Sequence, residues 1–458
     1  MTRPSTNSRA IDVHDFLNEQ RFSGFHLLLM ILCFLVVALD GLDTGAIGYI
    51  APTLVQTWKV PREALGPVLS AALVGLGVGA LVAGPLADRI GRKVVLVYSV
   101  AFFGICSVAS AYATSIEMLT VLRLLTGLGL GAAVPNAVTM TSEYAPERIR
   151  GVVVNTMFVG FAVGLGLGGL LAAHMIPRFG WQSVLLVGGI APLVVAVCLA
   201  LYLPESVRFL IARRRPAEQV ARILKRVAPH AELDGYTFGS EKIQAAARNP
   251  VAELFSRRHI VGTLMLWLSY FMCLSVFYLL ANWMPTLFKA SGFDMHQSMI
   301  TASMFHWGGC IGMLIAGWMM DRFRPAVVIS LCYILTAVFV VVVGSNIGNR
   351  ELMPWLIFIT GMAMSGAAGS MAPLAAGFYP TSSRATGVAW LLAVGRLGAV
   401  GGAYGGATLV GLGWQFGSIF SMLAVPLAIA AVAVLVMMVS KAKESADPSS
   451  VMPRPTGL

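Results

Sequence analysis

Two carboxylates stand where the sequence provides no water. Asp40 and Asp43 lie inside the apolar run that begins near Phe25, and they are the only acidic residues well within any such run. Three residues apart, they share one face of a helix. A charged side chain near the centre of a membrane helix costs roughly 2.5–3.5 kcal/mol on insertion scales, so acids there mark ion or substrate paths by default. Gly41 and Gly45 beside them permit close helix contact or local unwinding. A structural ion pair inside a helix bundle is the competing reading.

Two cations share that setting, Arg123 and Arg396. Asp43 lies about 8 residues, ~12 Å, before the outer end of its helix, and Arg123 about 6 residues, ~9 Å, from the outer start of an oppositely directed one. The two therefore reach similar depth. A neighbouring arginine lowers a carboxylate pKa and burial raises it, so separating such a pair switches protonation. That is the requirement of proton coupling, and it assigns Asp40 and Asp43 as the proton carriers. Arg396, about 10 residues (~15 Å) into its helix, sits near the midplane and suits a substrate carboxylate, with Arg123 as a second such group. A purely structural arginine is the alternative. His306, within Phe305-His306-Trp307, can titrate, stack on a substrate ring or make a polar contact between helices. Trp390, with Tyr270, Phe277, Tyr278, Trp283 and Tyr404, can wall a flat apolar pocket, although most such rings serve packing or the membrane interface. His174 reads as structural.

The elements that must position these groups are membrane spans. Hydrophobic residues make up 57% of the 458, charged residues 12%, and the mean hydropathy is +0.79. A soluble domain carries about 25% charged residues. Apolar stretches of bilayer-spanning length recur from Phe25 to about Val439. They predict an all-α membrane protein of twelve helices at roughly 25–49, 65–87, 94–112, 118–140, 151–173, 182–203, 260–282, 300–320, 326–344, 354–377, 386–410 and 414–438. Breaks are expected at Ala51-Pro52, Asp88-Arg89, Tyr144-Ala145-Pro146, Ile176-Pro177, Pro204-Glu205, Asp321-Arg322 and Tyr379-Pro380. The polar stretch 204–259 splits the chain into two six-helix halves, 25–203 and 260–438, with tails at 1–24 and 439–458.

Charge orients the bundle. Segments assigned to the cytoplasm hold 25 of the 32 lysines and arginines, against 5 in the outer loops, which sets both termini inside. The net charge of +11 is thus mainly topology, spread over every inner loop, and not a nucleic-acid surface. The first 24 residues lack an apolar core, so the first span is read as the insertion signal. All six cysteines fall in apolar segments without a CxxC pair, so neither a metal nor another cofactor is expected.

The halves echo each other. Gly84, Asp88 and Arg89 after the second span recur as Gly317, Asp321 and Arg322 after the eighth, all three at one common offset. A looser echo pairs Tyr144, Arg148 and Gly151 with Tyr379, Arg384 and Gly387. Six-plus-six duplication is the architecture of a carrier that rocks two halves about a central site. The first turn reads as a conformational latch: Gly84 for close approach, Asp88 to cap or face a helix N-terminus, Arg89, Arg92 and Lys93 on the inner surface, and Glu143 as an arginine partner. A duplicated structural protein would explain the repeat but not the charges inside the spans.

These residues resemble a known family. Gly84-Pro-Leu-Ala-Asp-Arg-Ile-Gly-Arg-Lys93 is similar to the major facilitator motif, and Asp40-Gly-Leu-Asp43 to the DGxD of the aromatic acid:proton symporter family. Arg123-Leu-Leu-Thr-Gly-Leu-Gly-Leu-Gly-Ala-Ala-Val-Pro135-Asn136 and Tyr379-Pro-Thr-Ser-Ser-Arg-Ala-Thr-Gly-Val-Ala-Trp390 with Gly395-Arg396 extend the likeness over nearly the whole chain, nearest to its 4-hydroxybenzoate/protocatechuate branch. The resemblance implies the major facilitator fold, import of a benzoate-type anion with protons across an inner membrane, and a chemotaxis role. It also implies functional importance for Asp40, Asp43, Asp88, Arg123, Glu143, Asp321, Arg384 and Arg396. Phe323-Arg324-Pro325 departs from the motif's Gly-Arg-Lys, which implies a weaker second latch. Leu203-Pro204-Glu205-Ser206 is similar to sugar porters. The expected partners are therefore a small aromatic carboxylate, protons and lipid, with no nucleic acid, and the chain is expected to act as a monomer. A membrane enzyme would need a nucleophile–base set or metal ligands in the spans, and a sensor would need an output domain. Neither is visible, which leaves a carrier for another organic acid or a sugar as the rival.

Overall fold

The computed structural model describes residues 10–229, 231, 233, 236–239, 250–256, 258–380 and 383–446. Parts of both tails and of the central polar stretch lie outside them. Among the described residues, twelve helices are long and apolar enough to cross a membrane. In order they are α2 (Gly24–Trp58), α3 (Gly66–Ile90, preceded by a 3-10 turn, Arg62–Leu65), α4 (Arg92–Ser110), α5 (Ile116–Tyr144), α6 (Glu147–Phe179) and α7 (Gln182–Tyr202). After the short α8 (Val207–Ala212), α9 (Ala217–Val227) and α10 (Pro250–Leu254) come α11 (Ile260–Ala290), α12 (Met295–Arg322), α13 (Pro325–Ser345), α14 (Met353–Phe378) and α15 (Arg384–Gly411). The last span is α16 (Phe416–Met422) followed by α17 (Ala424–Ala446), interrupted at Leu423.

Small residues bring the helices together, as bilayer packing requires when lipid offers no hydrophobic drive between them. Gly75 and Gly79 of α3 sit against the Leu124 and Leu128 carbonyls of α5, with no room for a Cβ. Gly308 and Gly312 of α12, which stand from Gly75 and Gly79 at the offset that relates the two turns, meet the Phe358 and Met362 carbonyls of α14 in the same way. Gly164 of α6 lies on the Ala38 carbonyl of α2, and Gly398 of α15 on the Phe271 carbonyl of α11. The duplication read from the turns is therefore also a duplication of helix pairs. The chain divides into two compact units, Met1–Ile50 with Ala71–Gln244, and Ala51–Ser70 with Ala245–Leu458.

Two expected breaks are corrected. Pro52 lies inside α2 and Pro177 inside α6, because a proline removes only one backbone donor and a long helix can continue through it. The 35 residues of α2 reach ~52 Å, well beyond a ~30 Å hydrocarbon core. The breaks at Tyr144-Ala145-Pro146, Pro204-Glu205 and Tyr379-Pro380 follow helix ends. After Asp88-Arg89 the turn falls instead at Gly91, whose φ of +105° suits glycine.

The described parts of the polar segments carry elements of their own. A three-residue strand, β1 (Ala10–Asp12), pairs in parallel with β2 (Thr237–Gly239) and leads into α1 (Val13–Glu19), N-capped by Asp12. Val13 and Leu17 bury against Leu210, Val220, Leu224 and Val227, so the N-terminal segment and the central stretch share one core. The amphipathic spacing of α9 directs Val220, Ala221, Leu224 and Val227 inward.

Candidate functional site

Asp43 and Arg123 meet inside the first unit. Arg123 Nη1 donates to both Asp43 carboxylate oxygens at 3.0 Å, and the Ser107 hydroxyl donates to Asp43 Oδ1 at 2.8 Å. Arg123 Nη2 donates to Ser110 Oγ and Thr126 Oγ1, each at 3.0 Å. Ser110 and Thr126 give their own protons to the Cys106 and Leu122 carbonyls, at 2.8 Å each, which leaves their lone pairs facing the guanidinium. Both charged side chains are 0% exposed, and Arg123 Nε is buried with no acceptor among the described residues. Breaking such a pair by removing one partner strands a charge and costs about 3–5 kcal/mol. Asp40, also buried, accepts from Thr44 Oγ1 at 3.4 Å on the same helix. Gly41 and Gly45 press α2 onto Phe161 and Leu165 of α6. Arg123, also read as a substrate contact, is here enclosed beside Asp43. Sequence reasoning misses Ser107, Ser110 and Thr126. A signal is present, since hydroxyls three apart in an apolar helix share a face.

In the second unit Arg396 is half-buried on α15, and the adjacent Gly395 leaves space for the Tyr270 ring of α11, whose phenol lies within electrostatic reach of the guanidinium. His306 is buried against Phe305 and Phe277, with ring centroids 5.2 and 6.1 Å away. Trp390 stacks on Trp267 at 5.6 Å, six residues (~9 Å) along α15 from Arg396. Trp283 is packing: fully buried, it donates from Nε1 to the Ala403 carbonyl at 2.8 Å. His174 Nδ1 lies 2.8 Å from the Leu170 carbonyl.

Around the first turn, Arg92 pairs with Glu143, whose Oε2 accepts from Ser206 Oγ at 2.5 Å. The helix N-terminus here is capped not by Asp88 but by Glu205. Its Oε1 accepts from the Arg92, Lys93 and Ser206 amides at 2.9, 3.0 and 2.8 Å. Two of these donors are the first amides of α4, and a carboxylate on them at the positive end of the helix is a strong cap. In sequence Glu205 reads only as a porter-like turn residue; neither its spacing nor its neighbours point to a helix that begins far upstream. The Tyr144 hydroxyl donates to the Glu205 carbonyl at 2.6 Å, and Arg213 Nη2 donates to the Asp88 and Arg89 carbonyls at 3.0 Å. Asp88 and Arg89 are themselves exposed. Among the described residues, a Cβ built at Gly84 would meet nothing within 4 Å. Among the described residues the equivalent second turn holds no such network. Asp321 and Arg322 make no ion pair among the described residues, and Arg322 lies over the Trp318 ring at 4.4 Å. Arg384 is exposed at the start of α15.

Twelve apolar spans, duplicated helix pairs and a sealed carboxylate–guanidinium pair define a polytopic membrane carrier rather than an enzyme. The chain matches the Major Facilitator Superfamily over residues 33–302 and 266–458, and it belongs to that superfamily. It is 48% identical to the 4-hydroxybenzoate transporter PcaK of Pseudomonas putida over 93% of this chain and 96% of the relative. It is 42% identical to a gallate transporter of Pseudomonas putida, over 95% and 96%. Among solved structures it is similar to a D-xylose–proton symporter, with a TM-score of 0.70 at 18% identity over 90% of this chain and 97% of the other.

Proposed function

We propose that this protein imports an aromatic carboxylate such as 4-hydroxybenzoate, protocatechuate or benzoate together with protons, by alternating access across the bacterial inner membrane. The observation that carries the coupling is the sealed Asp43–Arg123 pair. In general an arginine beside a buried carboxylate favours its charged form, so a conformational change that parts such a pair favours proton uptake. Asp40 and Asp43 are the proton carriers. Arg396 engages the substrate carboxylate, with His306 and Trp390 as aromatic neighbours of its path. Gly84, Asp88, Arg89, Arg92, Glu143, Asp321, Arg322 and Arg384 tune the latch. The substrate class rests on the relatives' names, which span 4-hydroxybenzoate and gallate carriers. The halves 25–203 and 260–438 are the moving bodies, the tails and 204–259 lie in the cytoplasm, and the protein works as a monomer.

Competition tests the substrate class. Uptake of labelled 4-hydroxybenzoate is expected to fall with excess unlabelled protocatechuate or benzoate and to be unaffected by glucose. Inhibition by glucose alone would point to a sugar carrier.

A further inference from the structure

The repeat extends to residues that the transport mechanism does not use. Phe22, Ser23 and His26 recur as Phe255, Ser256 and His259, again at the offset that relates the two turns. The two sets open the first span of each half. The Ser23 hydroxyl lies 2.9 Å from His26 Nδ1, and the Ser256 hydroxyl 3.0 Å from His259 Nδ1. Both rings are buried, His26 at 3% and His259 at 8% exposure. A titratable side chain repeated in kind, in partner and in burial is more than a satisfied packing histidine.

The two copies differ in one electrostatic respect. The Ser23 backbone N–H also donates to His26 Nδ1, at 3.2 Å, so that nitrogen must be unprotonated. His26 stacks on Phe22 (5.5 Å) and packs edge-on to Phe25 (5.7 Å). From α5 the Tyr144 backbone faces the ring, while the Tyr144 phenol is committed to Glu205 and the Glu143 carboxylate to Arg92 and Ser206. From α9, Arg226 lies over Phe25 at 5.9 Å. Among the described residues no carboxylate pairs with His26, and its place in the first turn of α2 sets it against the positive end of the helix. His259 instead has Glu253 Oε1 at 3.4 Å from Nδ1. Arg258 adjoins it in sequence, and Phe378 of α14 packs edge-on at 5.9 Å. The neighbouring Tyr379 phenol, which burial pushes above its ordinary value, is neutral and donates to Thr263 at 3.2 Å.

We propose that these couples are two proton-binding sites that answer acid in opposite senses. Protonating His26 sets Nδ1–H against the Ser23 N–H and releases the entry to α2. Protonating His259 sets a full positive charge against the Glu253 carboxylate, 3.4 Å from Nδ1, and tightens the entry to α11. On the orientation proposed above, both sites face the cytoplasm, and an importer of acid would thereby sense the acid it delivers.

Hydrogen–deuterium exchange of the purified full-length protein in nanodiscs, between pH 8 and pH 5.5 and corrected for intrinsic exchange, tests this without substrate or gradient. A failure here is therefore separable from a failure of the transport reading. Protection of residues 22–29 is expected to fall at least about 5-fold on acidification, while that of 255–263 rises. His26→Gln and His259→Gln should each flatten only their own segment. The proposal is overturned if either wild-type segment ignores pH, if both move in the same direction, or if a folded His→Gln variant keeps its response. Where a variant does not fold, the opposite signs in the wild type decide.

Discussion

At the scale of single residues, the account turns on a charge pair that neither lipid nor water can replace. Asp43→Asn leaves Arg123 buried without a counter-ion, so we expect a stability loss of about 3–5 kcal/mol, read as a lowered unfolding temperature in detergent. The double variant Asp43→Asn with Arg123→Met removes both charges. It should recover most of that stability without recovering gradient-driven uptake. If the double variant is no more stable than the single one, the pair is not a coupled unit. Arg396→Lys keeps charge but loses the planar fork, and is expected to raise KM for the aromatic anion at least about 10-fold. An unchanged KM would remove Arg396 from the substrate path. The meeting of Asp43 with Arg123 is legible in sequence because helix direction and rise per residue fix depth. The hydroxyls that complete the cage are not, because serine and threonine are ordinary inside membrane helices and only the packing of α4 on α5 selects Ser107, Ser110 and Thr126.

At the scale of elements, the turn repeat visible in Gly84-Asp88-Arg89 and Gly317-Asp321-Arg322 is the trace of a deeper repeat in helix contact. Gly75→Leu places side-chain atoms in the Leu124 carbonyl, and Gly308→Leu does the same at Phe358, so neither is expected to give folded protein by size-exclusion profile. Gly84→Ala, inside α3 with open space around it among the described residues, should stabilise by about 0.5–1 kcal/mol, read as a raised unfolding temperature, and a lowered one would show that the glycine is required. Glu205→Gln keeps the shape of the cap but loses its charge at the start of α4. A loss of about 0.5–2 kcal/mol is expected, and no change in unfolding temperature would mean that the cap contributes nothing. Helix existence is readable from hydropathy. Helix ends are legible only in part: Tyr144-Ala145-Pro146, Pro204-Glu205 and Tyr379-Pro380 follow helix ends, but Pro52 and Pro177 signal breaks that a bilayer helix absorbs. The β1–β2 pairing is invisible for another reason: three-residue strands far apart in sequence have no periodicity to read.

At the scale of the whole molecule, hydropathy and the lysine–arginine bias bound the class, and the superfamily match establishes it. What the chain moves is set by a few contacts around an aromatic ring, and no periodicity encodes those. The coupling is the central claim. One proton carried with a monoanion is electroneutral, and a second would add inward charge worth ~2.3 kcal/mol per 100 mV. The direct measurement is uptake of labelled 4-hydroxybenzoate by proteoliposomes under an imposed proton gradient, with and without a protonophore. The account predicts accumulation above the external concentration that collapses to equilibration when the gradient is dissipated; accumulation that survives the protonophore would contradict it.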